Sequence, residues 1–163
     1  MSPSPIAPLG DAEESLWRTL AHLLITLPHA LDEDLRRDTG LTMADYGVLM
    51  NLSEASGHRL RMSVLAGRCD LSGSRMSRLV DELRQKGYVT KDRSVDDGRG
   101  NEAVLTAAGL VRLQEAYPAH LASVRCRVLD HVRAEEILGV VGPLDRISDA
   151  LQPSNGAPSP DQG

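Results

Sequence analysis

Aromatic side chains and cysteines are scarce in this 163-residue chain. It has no phenylalanine, and its aromatic residues are Trp17, Tyr46, Tyr88 and Tyr117. A buried core must therefore be built mainly from aliphatic side chains and methionine. The two cysteines, Cys69 and Cys126, are too few for a disulfide framework or for a zinc site with paired spacing.

The sequence also lacks long apolar runs and the motifs of common enzymes. No stretch approaches the ~18 consecutive apolar residues of a transmembrane helix, and the N-terminus lacks the basic and apolar segments of a signal peptide. There is no Gly-x-Ser-x-Gly motif, no His-Glu-x-x-His motif and no glycine-rich phosphate-binding loop. We therefore expect a cytoplasmic protein that is not an enzyme and that needs no metal or other cofactor.

The net charge of −5 argues at first against a nucleic-acid-binding protein, because such domains are usually basic. The charge is unevenly distributed along the chain, however. Residues 57–101 contain ten Lys and Arg against six Asp and Glu, a net charge of +4, whereas the rest of the chain has eight against seventeen, a net charge of −9. A basic module flanked by acidic segments is typical of a DNA-binding domain attached to another region.

Both ends of the chain are rich in Pro, Ser and Gly, which predicts disordered tails over residues 1–10 and 152–163. Between the tails the spacing of apolar residues is mostly helical. Leucines recur at steps of three and four and predict one long helix over residues 11–39, kinked at Pro28 and ended by Gly40.

Residues 40–105 predict short helices followed by a β-hairpin, and residues 106–151 predict further helix with a break near Arg133. Thr42 and Ser72 are suitable caps for two of the short helices. This order is typical of a winged helix-turn-helix. The expected fold is mainly α with a small β-wing, in which a central winged module is joined to helical regions at both ends.

The helix that begins at Ser72 is the expected recognition helix. Its apolar residues fall in one sector at 100° per residue and are Met76, Leu79, Val80 and Leu83. The opposite face presents hydroxyl and guanidinium groups near the helix N-terminus, where such a helix meets base edges, and its polar residues are Ser74, Arg75, Ser77, Arg78, Asp81 and Gln85. Because Asp81 would repel phosphate, we expect it to brace Arg78, three residues before it. An ordinary amphipathic surface helix explains the same pattern.

The hairpin tip favours DNA binding over that alternative. Residues 97–100 read Asp-Gly-Arg-Gly, and the flanking glycines let Arg99 project into a narrow minor groove. Asp96 or Asp97 can hold Arg99 in place. The strand residues that can reach phosphate are Lys91 and Arg93. A solvated, charged turn remains the alternative interpretation of this tip.

Taken in order and at their spacings, five segments resemble the MarR family of bacterial transcriptional regulators. They are Leu-Thr-x-x-x-Tyr-x-Val-Leu-x-x-Leu (41–52), Leu-Ser-x-x-x-Met-Ser-Arg-Leu-Val-Asp-x-Leu (71–83), Gly-Tyr-Val-x-x-x-Arg (87–93), Asp-Gly-Arg-Gly (97–100) and Leu-Thr-x-x-Gly (105–109). With the flanking helices, the resemblance covers about residues 11–151.

The resemblance implies a homodimer whose terminal helices, residues 11–39 and 106–151, form the dimer interface. Apolar stripes too long for a small winged domain to cover support the dimer independently. Paired recognition helices would read a pseudo-palindromic operator, and the protein is expected to be a repressor. At the positions that match the family's motifs, the resemblance implies DNA contacts by Ser72, Ser74, Arg75, Ser77 and Arg78 in the major groove. It also implies a contact by Arg99, braced by Asp97, at the wing tip.

Members of the family commonly release DNA when a small phenolic or other aromatic molecule binds between the dimer helices and the DNA-binding module. The matching positions here are Trp17, His22, His29, Met43, Tyr46 and Met50. Urate is not expected, because the second helix reads Tyr-Gly-Val-Leu where urate-responsive members resemble Trp-Asp-Val-Leu. The cysteine of peroxide-sensing members is absent from the first helix, and Cys69 is interpreted as a structural residue.

One alternative function belongs to a different class. A winged-helix module that mediates protein interaction or dimerisation, without binding DNA, would explain the acidic total charge and the presence of Asp81 on the recognition helix.

Overall fold

The computed structural model describes residues 7–93 and 101–151. The chain divides into two compact units, Met1–Arg127 and Val128–Gly163. The first unit contains α1 (Asp11–Thr39), α2 (Met43–Glu54), β1 (Arg59–Arg61), α3 (Met62–Arg68), α4 (Gly73–Gln85), β2 (Val89–Arg93), β3 (Asn101–Leu105) and α5 (Ala107–Arg127). The second contains α6 (Ile137–Leu151), preceded by short 3₁₀ turns. None of the described helices is both long enough and apolar enough to span a bilayer.

The three strands form one antiparallel sheet in the order β1-β3-β2. In the central strand, Ala103 lies opposite Leu60 of β1 on one side and Lys91 of β2 on the other. The sheet and the short helices before it confirm the predicted fold class, mainly α with a small β-wing.

Aliphatic side chains and one methionine form most of the core of the first unit, as the scarcity of aromatic residues predicted. Its completely buried side chains come from α2, α3, α4, β3 and α5 and are Val48, Leu49, Leu52, Leu65, Met76, Val80, Leu83, Ala103 and Ala116. Tyr46, 5% exposed, adds a buried aromatic ring. The core therefore holds the helix-turn-helix and the sheet together as one module.

Local signals in the sequence set the ends of these helices. Thr42 caps α2 in a reciprocal pair, in which Thr42 Oγ1 accepts from the Asp45 N–H at 2.9 Å and the Asp45 carboxylate accepts from the Thr42 N–H at 3.0 Å. Ser72 Oγ accepts from the Arg75 N–H at 3.4 Å at the start of α4. After α4, Gly87 adopts a left-handed φ of 77°, which glycine allows without steric cost.

Helix α1 has the predicted bounds and continues through Pro28 as one helix. Most of its apolar stripe is not covered by the chain itself. Leu35 is 1% exposed, whereas Trp17 is 59% exposed and Leu24 is 71% exposed. The N-terminal part of α1 therefore presents apolar side chains to its surroundings.

Asp34 joins the C-terminal part of α1 to α5. Its carboxylate accepts hydrogen bonds from Ser123 Oγ at 2.7 Å, from Arg127 Nε and Nη2 at 2.9 Å each, and from Arg37 Nη1 at 2.9 Å. These hydrogen bonds hold the pKa of Asp34 well below its usual range, and the bond from Arg127 has the largest effect. The carboxylate is therefore ionised at neutral pH, as a buried acceptor of four hydrogen bonds requires.

Gly109 lies where α5 passes the backbone that follows α4. A Cβ atom at this position would be 2.1 Å from the carbonyl oxygen of Tyr88 and 2.8 Å from Leu105 Cδ1. Thr106 strengthens the same junction, because its Oγ1 donates to the Gly87 carbonyl oxygen at 2.7 Å. The glycine of the Leu-Thr-x-x-Gly segment thus permits a close backbone approach.

We expect Gly109→Ala to lower the free energy of unfolding by about 3 kcal/mol, because backbone atoms must move to admit the new methyl group. The matched control is Gly47→Ala within α2, where a Cβ would meet nothing within 4 Å. Alanine is the better helix former there and should stabilise by about 0.5–1 kcal/mol. Urea unfolding of both variants tests the prediction, and equal stabilities would show that α5 does not approach Tyr88 so closely.

Candidate nucleic-acid interface

Helix α4 is held in the core by one face and exposes the other. Met76, Val80 and Leu83 are completely buried and Leu79 is half-buried, as predicted. The predicted contact residues that are exposed on this helix and its cap are Ser72, Ser74, Arg75 and Arg78, and Ser77 is half-buried. The first turn contains no acidic residue, so the partial positive charge of the helix N-terminus is not compensated there.

The guanidinium groups of Arg75 and Arg78 are available for binding. Within residues 7–93 and 101–151, no side-chain hydrogen bond or ion pair engages either of them. An unpaired guanidinium on an exposed helix face can bind a phosphate or the O6 and N7 atoms of guanine. The polar face of α4 therefore has the donors that reading DNA requires.

Asp81 does not brace Arg78, so that expectation was wrong. Its Oδ1 lies 2.8 Å from Lys91 Nζ of β2 and 3.5 Å from Arg84 Nε of the following turn. The strand lysine is the closer cation, and it approaches Asp81 from outside the helix. The negative charge of Asp81 is consequently compensated without a guanidinium group from the N-terminal half of α4.

The wing strand β2 contains two of the residues that are predicted to contact DNA, Lys91 and Arg93. Lys91 is engaged by Asp81 and also donates to Ser77 Oγ at 3.5 Å. Arg93 ends β2. Asp97 and Arg99, the wing-tip candidates, lie outside the described residues.

Two of the predicted ligand residues, His29 and Met43, line a cavity of about 600 Å³ between α1, α2 and α4. We call it the α1–α4 cavity. Arg75 and Arg78 of the recognition helix line its other side. A molecule bound in this cavity would therefore touch the guanidinium groups of Arg75 and Arg78.

Two further predicted ligand residues, Tyr46 and Met50, line a separate cavity of about 510 Å³ between α2 and α5, the α2–α5 cavity. Trp17 and His22 are exposed on α1 and line neither of these cavities. Four of the six predicted positions are thus divided between these two cavities. The predicted positions follow from the family resemblance, whereas α2 presents Met43 to the α1–α4 cavity and Tyr46 to the α2–α5 cavity.

Tyr46 stacks on His120 of α5, a contact that the sequence did not predict. The ring centroids are 4.5 Å apart with an interplanar angle of 34°. Burial raises the pKa of Tyr46 and lowers that of His120, so both groups are neutral at pH 7. His120 Nδ1 is buried without a hydrogen-bond partner among the described residues.

The structure also adds four charged residues to the wall of the α1–α4 cavity, Asp32, Arg36, Asp45 and Glu82. Asp32 Oδ1 accepts from the Met43 N–H at 2.8 Å, which attaches the start of α2 to α1. Asp32 also pairs with Arg36 at 3.1 Å. Their i,i+4 spacing was visible in the sequence, but the same spacing is common on solvated helix faces.

Cys69 is half-buried between α3 and α4, with Asn51 Nδ2 at 3.8 Å from its sulfur. Burial raises the pKa of the thiol, so little of the reactive thiolate is present at neutral pH. Across the part of the chain that the structure describes, no three His, Cys, Asp or Glu side chains cluster in a way that could hold a metal ion.

Comparisons with known proteins place this geometry in a family. The family model described as "MarR family" matches residues 39–100, from the end of α1 through β2. Among solved structures, the MarR regulator Sco3205 of Streptomyces coelicolor, determined in complex with DNA, is 31% identical with a TM-score of 0.85, and the match covers 94% of this chain and 97% of that one. The chain belongs to the MarR family.

A second MarR-family regulator from the same organism, AbsC, is 36% identical with a TM-score of 0.82, and the match covers 90% of this chain and 99% of that one. The curated repressor YetL of Bacillus subtilis is 30% identical over 97 residues, 60% of this chain. That match spans 58% of the length of YetL, so the curated similarity is confined to part of each protein. The structural likeness extends well beyond the family-model match and includes helices on both sides of it.

Proposed function

We propose that this MarR-family chain represses transcription by binding a pseudo-palindromic operator as a homodimer, with α4 of each copy in the major groove. The observation that carries the proposal is the exposed face of α4, where Arg75 and Arg78 have no partner among the described residues. The opposite face is completely buried at Met76, Val80 and Leu83, so the rigid core sets the direction in which the arginines point. A rigidly held helix is what base readout requires.

The relative solved with DNA, Sco3205, supports the DNA-binding part of this proposal. The uneven charge supports it as well, since residues 57–101 carry a net charge of +4 in a chain of net charge −5. The acidic remainder repels DNA at long range, which reduces non-specific binding and makes contacts to bases more decisive.

We expect Arg78→Ala to weaken operator binding by about 1–3 kcal/mol and to relax base preference at one position in each half-site. The operator is first selected from a random duplex library, and affinities are then measured by mobility shift for operator and random DNA. Arg18→Ala, which removes an exposed arginine of α1, is the charge-matched control and should bind as the wild type does. Equal losses on operator and random DNA would make Arg78 a phosphate contact.

The alternative is a module for protein interaction that does not bind DNA. Its main structural argument was the negative charge of Asp81 on the recognition helix, and that charge is paired with Lys91 at 2.8 Å. Failure to enrich any duplex from the random library at low salt would favour this alternative over the operator proposal.

The homodimer is inferred from apolar side chains that each unit leaves exposed. On α1 these are Leu16, Trp17, Leu23, Leu24 and Ile25, and on α6 they are Ile137, Leu138, Val140, Val141, Leu144, Ile147 and Leu151. Apolar stripes of this extent are unusual on a soluble monomer. Covering them with a second copy removes them from water and supplies the two recognition helices that a two-fold operator needs.

We expect the wild-type protein to have about twice the chain mass of 17.6 kDa by multi-angle light scattering. Leu24→Glu places a charge in the exposed stripe of α1 and should shift the protein towards the monomer. Glu33→Gln is the control, because Glu33 is nine residues away and so lies on the opposite side of the helix. A wild-type monomer at micromolar concentration would contradict the dimer.

We further propose that a small aromatic effector binds the α1–α4 cavity and competes with DNA. Arg75 and Arg78 line this cavity and also face the expected position of DNA. A ligand with an anionic group would satisfy these guanidinium groups, while Met43 and Leu79 provide apolar contact. Binding there would withdraw from DNA the donors that read it, without requiring a large movement.

Mobility shifts in the presence of a set of monocyclic phenols and benzoates test the effector site. We expect release of the operator to be lost in Met43→Trp, which fills the α1–α4 cavity, and retained in Met50→Trp, which fills the α2–α5 cavity. Thermal unfolding checks that both variants are folded, since overpacking costs about 1–3 kcal/mol. The reverse result would assign the effector to the α2–α5 cavity.

A further inference from the structure

A lysine of the wing strand is bound by the recognition helix. Lys91 Nζ of β2 lies 2.8 Å from Asp81 Oδ1 and 3.5 Å from Ser77 Oγ. Ser77 and Asp81 are four residues apart on α4 and therefore share a face. Lys91 follows the buried Val89 by two residues, which places it on the same side of β2. The ammonium group thus bridges α4 and β2 outside their apolar core.

The Asp81–Lys91 pair is only partly exposed, with 42% of the Asp81 side chain and 22% of the Lys91 side chain accessible. The hydrogen bond from Lys91 lowers the pKa of Asp81, so the carboxylate is ionised at neutral pH and the pair is electrically neutral. Arg84 also faces Asp81, at 3.5 Å, but it belongs to the same helix. A pair this exposed changes the folding equilibrium by at most about fivefold, so its main consequence is for the surface it organises.

The two elements that this pair joins, α4 and β2, are the recognition helix and a strand of the wing. A free lysine at this position would bind the phosphates of any DNA sequence and would add non-specific affinity. A free aspartate at this position would repel the same phosphates. Pairing removes both effects and leaves Arg75 and Arg78 as the unpaired cations of the described α4 face.

We propose that Asp81 and Lys91 are positioning residues for DNA binding, whose pair holds β2 against α4 and keeps the Lys91 ammonium from contacting phosphate. This inference rests on the proposed function, because it assigns the pair a role in discriminating the operator from other DNA. It also explains why an acidic residue stands on a helix that faces a polyanion.

A double-mutant cycle on DNA binding tests the proposal, using wild type, Asp81→Asn, Lys91→Met and the double variant over a KCl series. Lys91→Met leaves the Asp81 carboxylate without its partner and should weaken operator binding about tenfold. The double variant should bind the operator with an affinity within about threefold of wild type and with the same salt slope. Asp81→Asn removes the partner of Lys91 and should tighten binding to random duplex about threefold or more. The ratio of the affinity for the operator to the affinity for random DNA should therefore fall.

The opposite role for Lys91, a direct phosphate contact, gives a different pattern. The double variant would then bind no better than Lys91→Met, and its salt slope would fall by about 0.9 for each copy, about 1.8 for the proposed dimer, relative to wild type. Asp81→Asn would leave the operator-to-random ratio unchanged. That pattern would overturn the proposal while leaving the DNA-binding function intact.

A measurement without DNA separates failure of the pair from failure of the proposed function. In the DNA-free protein, carboxyl ¹³C NMR should show that the pKa of Asp81 is lower than that of an ordinary aspartate. In Lys91→Met this pKa should rise. Lys86→Met is the matched control, since Lys86 lies near Asp45, at 3.8 Å, and should leave Asp81 unchanged. An unshifted Asp81 in wild type would disprove the pair, whereas a shifted Asp81 without any operator binding would disprove the proposed function alone.

Discussion

The one-sided burial of α4 is the constraint on which the rest of this structure depends. Met76, Val80 and Leu83 lose all their exposure in the core, and this fixes the rotation of the helix about its own axis. The side chains of the opposite face are exposed and mostly polar, as expected for the solvent side of an amphipathic helix. The direction of Arg75 and Arg78 is thus a consequence of core packing and needs no dedicated support.

The neighbouring junctions keep that helix in place from both ends. The Ser72 cap begins α4, and after Gly87 the chain enters β2 beneath α5, where Gly109 permits close backbone contact. Farther away, the Asp34 carboxylate attaches α1 to α5 through hydrogen bonds from Ser123 and Arg127. The start of α4, the turn after it and the packing of α1 on α5 are thus each fixed by a defined contact.

Most of the fold could be predicted from the sequence because its signals are local. The apolar period of α4, the caps at Thr42 and Ser72 and the stop at Gly87 all concern residues close together in the chain, and the structure confirms them. The side-chain partners were harder to predict. Asp81 was assigned to Arg78 on helical spacing, but its closer partner is Lys91, ten residues away on a strand. Such a contact depends on how β2 packs on α4, which no spacing rule contains.

The predicted ligand residues show the same limit. His29 and Met43 share a cavity wall, whereas Tyr46 and Met50 line another and Trp17 lines neither. Met43 and Tyr46 are close together on α2 but line different cavities, because α2 contacts α1 on one side and α5 on another. The sequence therefore predicted the fold of the helix-turn-helix better than it predicted which residues share a cavity.

Hydroxyl-radical footprinting on an operator selected from random DNA tests the central claim most directly, since it reports both readout by α4 and the pairing of two copies. The account predicts two protected patches on one face of the duplex, related by two-fold symmetry and centred about one helical turn, ~10 base pairs, apart. A single protected patch, or uniform weak protection without defined edges, would contradict it.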